Sequence, residues 1–197
     1  MNQELSMTRQ QSYSILTRYL KNPNLLKHCL ACEAAMKAVY RHLYKNSIDT
    51  QDEKVWGITG LLHDIDYELA KQSNQLNKHG LLIFEKEKDI PEDIAHAIKS
   101  HNFENTKVMP ENLMDWAITC CDQLTGLIVA CTLVHPDRKL ASLTPDFIVK
   151  RMKEKSFAKG ADRKPILMCE EKLRIPLKEF VEINLSAMQS ISKELGL

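Results

Sequence analysis

A chain of 197 residues, 44% of them hydrophobic, is long enough to bury a core without disulfides or a structural metal as staples. Lys plus Arg number 27 against 26 Asp plus Glu, and a net charge of +1 leaves no global field for gripping a nucleic-acid backbone or an anionic membrane. The opening MNQELSMTRQ lacks a basic n-region and an apolar h-region, and the apolar stretch from Leu124 to Val134 is short for a bilayer, so the expected location is the cytoplasm, with no membrane and no dedicated nucleic-acid partner.

Six glycines and few runs of β-branched residues leave little material for strands, while apolar residues recur at spacings of three and four, so the expected class is all-α. Asn24 is a cap candidate for a helix carrying Leu25, Cys29, Cys32, Met36, Val39 and Leu43 on one stripe, with His28 at its margin. A second helix is expected from near Asp52, carrying Val55, Ile58, Leu61 and Leu62 into His63-Asp64-Ile65-Asp66. Leu81 to Glu87 reads as a short helix, and Pro91 at a first helical position opens another through Ile94, Ala97 and Ile98 to His101. Pro110 is expected to start the most apolar helix, through Trp116, Cys120, Leu124, Leu127 and Cys131, until His135-Pro136 breaks it. Thr144-Pro145 and the stretch around Pro176 mark two further starts, and the last helix carries Phe180, Ile183, Leu185, Met188 and Ile191.

Six cysteines with apolar neighbours and no small-secreted-domain spacing read as reduced core thiols, and no disulfide is expected. Cys29 and Cys32 form a C-x-x-C inside a helical pattern, which favours core packing over a redox motif. A zinc site joining them to Cys120 and Cys121 would need vicinal cysteines, a poor structural-zinc spacing.

The chemistry concentrates at His63-Asp64, an imidazole and a carboxylate placed where an apolar helix ends. Charged Asp is almost never fully buried unless paired or bound to a cation, so Leu61, Leu62 and Ile65 around the pair motivate a metal ion. Adjacent helical residues diverge by about 100°, so both reach one ion only if the helix ends or bends there. Asp122 also interrupts an apolar helix, and His28 completes a set of two His and two Asp. That set suits Mn, Fe, Ni, Co, Zn or Mg but is too poor in thiolate to select zinc alone.

In order and spacing across positions 24 to 125 these residues resemble the HD-domain superfamily, and within it the HDIG-like bacterial members. The C-terminal half, around LTGLIVA and KEKSFAKG, also resembles HDIG-type hydrolases. The resemblance implies one HD domain over 1–197: a helical bundle around a metal-binding core at about 24–125, with the helices of 126–197 packed on it. It further implies that His79, in a His-then-Gly element, and His101 bind a second ion. The full ligand set is then His28, His63, Asp64, His79, His101 and Asp122, with Asp64 shared and with His63 and Asp64 at the catalytic centre.

The activity so implied is hydrolysis of a phosphate ester by metal-activated water, with one or two divalent ions as cofactor. Paired ions about 3.5–4 Å apart are the usual clamp for in-line phosphoryl displacement. The expected partner is a small phosphorylated molecule, nucleotides included. The basic stretch Lys150 to Lys164 offers Lys153 and Lys155 as phosphate contacts, against the plainer reading of a solvated helix face. Where HDIG members read Gly-Lys after His-Asp-Ile this chain has Asp66-Tyr67, and no GYP signature follows the later histidine, so cyclic-dinucleotide hydrolysis is not expected. Two rivals share the ligand set: a di-iron oxygenase, and a metal or ligand binder without catalysis. His42, His96 and His135 read as surface or capping residues, with His96 the alternative to His101 if the register of that helix differs.

Overall fold

The computed structural model describes residues 7–154 and 156–197, so Lys155 lies outside the described residues. Among these the chain is all-α, with no strand.

Helix α1, Arg9–Tyr19, is closed by a capping box between Thr8 and Gln11. Helix α2, Pro23–Leu43, starts from Asn22 and not from Asn24. Pro23 presets the first helical φ, and the Asn22 side chain accepts from the backbone N–H groups of Asn24 and Leu25. Helix α3, Thr50–Leu62, is capped by Asp49, which accepts from Gln51 and Asp52, so Asp52 falls in the first turn beside the positive end of the dipole.

Helix α4, Tyr67–Gln72, follows after a turn; a 3-10 segment, Leu76–Lys78, comes next, and a second one, Leu82–Glu85, stands where a short helix was expected over Leu81 to Glu87. Helix α5, Glu92–His101, takes Pro91 as its cap residue, and α6, Phe103–Thr106, is a single turn after it. Helix α7, Leu113–Val134, starts beyond Pro110, where Asn112 and Asp115 form a capping box, and stops at His135-Pro136 as expected. Helix α8, Pro145–Met152, is capped by Thr144. Helix α9, Arg163–Met168, runs into a π-turn at Cys169–Leu173, and α10, Leu177–Ser190, and α11, Ser192–Leu195, end the chain.

Helix α2 packs on α3, α7 and α10, while α5 lies across α3 and α7, and α1 on α3. Two apolar clusters result. One gathers Met36, Val39, Tyr40, Leu124, Ile128 and Phe180, and the other Leu16, Leu20, Leu61, Leu62, Ile94 and Ile98. Each such side chain contributes about 1.5–3 kcal/mol by leaving water. Helix α2 sends Cys29 into the second cluster and Cys32 into the first, so the segment carrying His28 runs along their seam.

The close approach of α3 to α2 depends on Gly60, where a Cβ would stand 2.5 Å from the carbonyl oxygen of Cys32. Helix α7 is long and apolar enough to cross a membrane by length and composition, but 61% of its most apolar window is buried inside the protein. That burial is what a central core helix requires. All six cysteines are buried and unbridged.

Candidate metal centre

Helix α3 ends at Leu62, and His63 occupies its C-cap before a turn leads into α4. The bend that lets two adjacent side chains converge is therefore present. His63 arrives from the end of α3, Asp64 from the turn, His28 from the first half of α2 and Asp122 from the middle of α7. His28 Nε2 lies 3.2 Å from His63 Nε2, 3.0 Å from Asp122 Oδ1 and 3.6 Å from Asp64 Oδ2. His63 Nε2 lies 3.7 Å from Asp64 Oδ2 and 3.6 Å from Asp122 Oδ1. Ligand atoms bound at about 2.1 Å to one ion stand roughly 3.0–3.4 Å apart at right-angle to tetrahedral angles, close to the spacing seen here.

The other oxygen of Asp64 faces a second group. Asp64 Oδ1 is 2.8 Å from His79 Nε2 and 3.8 Å from His101 Nε2, and those two nitrogens are 3.1 Å apart. His79 comes from the loop after the first 3-10 segment and His101 from the last turn of α5. The structure thus brings all six expected ligands together, as two groups joined by one carboxylate.

Each ring is oriented through its other nitrogen. His63 Nδ1 donates to the Gly60 carbonyl at 2.8 Å, His101 Nδ1 to the Ile98 carbonyl, and His79 Nδ1 to Asp66 Oδ1 at 2.7 Å. His28 Nδ1 lies 3.4 Å from Thr125 Oγ1, whose own proton goes to the Asp122 carbonyl at 2.9 Å. With Nδ1 committed as a donor, every Nε2 turns a lone pair inward, and His28 faces His63 as His79 faces His101. Two facing acceptors need a shared proton or a cation between them, so the donor set fits a metal.

Charge is balanced accordingly when no ion is bound. Burial opposes ionisation of His63, but the carboxylates of Asp64 and Asp122 outweigh it and lift the imidazole to about 9. Burial likewise opposes charge on His79, yet hydrogen bonds to Asp64 and Asp66 raise it to about 10. For His101 burial and the nearby charges of His79 and His63 act together, pushing it down to about 4. Burial works against the charged forms of Asp64 and Asp122 too, but the surrounding imidazoles hold both well below the usual carboxylate range.

Four further residues support the cluster without being expected among its ligands. Asp66 is fully buried and accepts from His79 Nδ1 and from the backbone N–H groups of Gly80 and Ile83, which makes it the anchor of the His79 loop. Gly80 serves that anchor with a φ of 90°, which a side chain would strain. Gln123 donates to Asp122 Oδ2 at 2.7 Å and accepts from the Asp162 N–H at 2.8 Å, tying the segment before α9 to the cluster. Thr125 braces His28. A second acid two places after Asp64, and polar residues one and three places after Asp122, were the available signals.

The remaining candidates separate from the centre. His96 pairs with Asp115 at 2.9 Å, so His101 and not His96 faces His79. His42 lies 3.8 Å from Glu179, and His135 accepts from the Asp137 N–H. Cys120 and Cys121 lie in the apolar core and form no four-cysteine group with Cys29 and Cys32 among the described residues. The basic stretch is not one helix face: Arg151 stacks on Phe157 at 4.0 Å, and Arg163 donates to the carbonyls of Phe157, Ala158 and Ala161. Lys153 is exposed at the end of α8.

Compared with family models, with curated proteins and with solved structures, the chain has no match. What is established is a buried His/Asp cluster able to hold metal ions, and the reading of its chemistry rests on its own geometry.

Proposed function

We propose that this protein is a metal-dependent hydrolase of the HD type, acting on a phosphate ester with one or two divalent ions held by His28, His63, Asp64, His79, His101 and Asp122. The observation that carries the proposal is the division of the Asp64 carboxylate, with Oδ2 toward His28 and His63 and Oδ1 toward His79 and His101. A carboxylate so placed can serve two neighbouring ions at once. The chemistry such ions supply is Lewis acidity, which activates water near neutral pH and stabilises charge growing on phosphoryl oxygens.

The protein's own residues supply position and access. Hydrogen bonds from Nδ1 fix the imidazoles before any substrate arrives, so little reorganisation remains to be paid during reaction. The side chains of His28, Asp122 and Asp64 are 19%, 15% and 12% exposed against 0% for His63 and 3% for His101, so a substrate approaches from the His28, Asp64 and Asp122 side. Tyr67 packs beside His79, its ring edge-on with centroids 5.3 Å apart.

The test is phosphate release by Mn- or Co-loaded protein from a panel of phosphomonoesters and diesters, nucleotides included, beside the Asp64→Asn variant. Release by the native chain that is lost in the variant is the expected result. A loaded native chain that releases nothing contradicts the proposal, and iron content with oxygen uptake would move the reading to an oxygenase on the same ligands.

A further inference from the structure

Cys32 lies one helical turn beyond His28 on α2, the spacing that puts two side chains on one face. The residue is fully buried, with Sγ 3.9 Å from His28 Nε2. It forms a group with His28, His63 and Asp122 whose ligand atoms all lie within 4.8 Å of one another. Bonds of about 2.0–2.1 Å to imidazole nitrogen and about 2.3 Å to thiolate place the two atoms roughly 3.6–4.4 Å apart on one ion, for angles from tetrahedral to opposite. The separation of 3.9 Å falls within that span.

The polar surroundings also favour a liganding sulfur over a packed one. Thr125 Oγ1 stands 3.2 Å from Sγ and 2.9 Å from the Asp122 carbonyl oxygen. Either atom of the Thr125–Cys32 pair can donate, so when the thiol hydrogen is lost Thr125 can turn its own proton from the Asp122 carbonyl to the sulfur, and the buried thiolate keeps a hydrogen bond. Cys29, by contrast, belongs to the apolar cluster around Leu61, Leu62 and Ile98 and lies outside the liganding group.

We propose that the Cys32 thiolate is a ligand of the ion held by His28, His63 and Asp122, making this position selective for zinc, cobalt or iron(II) over magnesium and manganese. The proposal rests on the reading of the cluster as a metal centre. On binding, the S–H bond breaks, a metal–sulfur bond forms and the proton passes to solvent, with no change of oxidation state. Softness sets the preference, since thiolate suits zinc and iron whereas carboxylate and water suit magnesium and manganese. The position bridged to it by Asp64, with His79 and His101, carries no sulfur and keeps the broader preference.

The experiment loads the full chain with Co(II), measures bound cobalt by elemental analysis, and records the near-ultraviolet spectrum for a thiolate-to-cobalt charge-transfer band. The band should be present in the native chain and in Cys29→Ala, and lost in Cys32→Ser and Cys32→Ala while cobalt stays bound. X-ray absorption of the zinc-loaded native chain needs no variant and should find a sulfur neighbour at about 2.3 Å. Bound cobalt without the band, together with zinc surrounded by nitrogen and oxygen alone, overturns the thiolate proposal and leaves the metal centre standing. A chain that takes up no cobalt overturns both.

Discussion

Asp66 Oδ1 accepts the Nδ1–H of His79 at 2.7 Å, while the other nitrogen of that ring faces Asp64 Oδ1 at 2.8 Å. A buried carboxylate thus sets the direction in which a ligand lone pair points. Outer residues of this kind typically carry a 10–100-fold effect on metal affinity, so Asp66→Asn should weaken the second ion by about that factor. The ion held by His28, His63 and Asp122 should remain. Titration with a competing chelator measures both, and equal affinities in variant and native protein would show that Asp66 does not position His79 for an ion.

Gly60→Ala tests the seam between α2 and α3. The added Cβ meets backbone of Cys32 and Glu33, which cannot rotate away, so α3 must shift as a unit. Overpacking of this kind costs about 1–3 kcal/mol, and at this chain length each kcal/mol lowers the melting temperature by roughly 2–4 °C. Because the Gly60 carbonyl also fixes His63, metal affinity should fall with it. A variant that melts and binds metal as the native protein does would show that the approach is not tight.

The pH dependence of the metal-free protein follows from its imidazoles. His63 and His79, raised to about 9 and about 10 by the carboxylates that overcome their burial, contribute stability that is full below pH 6.5 and lost as pH rises through those values. His101, pushed down to about 4 by burial and its charged neighbours, contributes stability present above pH 6.5 and lost as pH falls toward 4. Metal binding needs the ligand nitrogens free of protons, so its stabilising effect grows in the direction in which the metal-free protein weakens. The melting temperature of loaded protein minus that of metal-free protein should widen from pH 6.5 to 9. A constant or shrinking difference would contradict the ligand assignment.

The helical class was legible in apolar residues spaced by three and four, and His63-Asp64 and Asp122 in the cost of polar residues inside apolar runs, whereas His79 and His101 sit in polar or mixed sequence and were indicated by the family resemblance alone. Helix starts were less legible. Asn24, Asp52 and Pro110 each have the right residue type near the right place, and the choice of Asn22, Asp49 and Asn112 depends on which side chain reaches the free N–H groups. Helix α1 buries only Ser12 and Leu16 along its length, α4 only Ala70 and α9 only Ile166, too little for an apolar period. Cys32 was hidden for the opposite reason: its sulfur fits an apolar stripe as well as it fits a ligand set, and only the three-dimensional position beside His28 separates the two.

If Asp64 joins two ion positions, the metal-to-chain ratio of purified, reconstituted protein, read by elemental analysis, depends on it. Two ions per chain in the native form, about one in His101→Ala and near none in Asp64→Asn, with all three folded by circular dichroism, is the result the geometry predicts. Full metal content in folded Asp64→Asn, or none in the native chain after reconstitution, would contradict it.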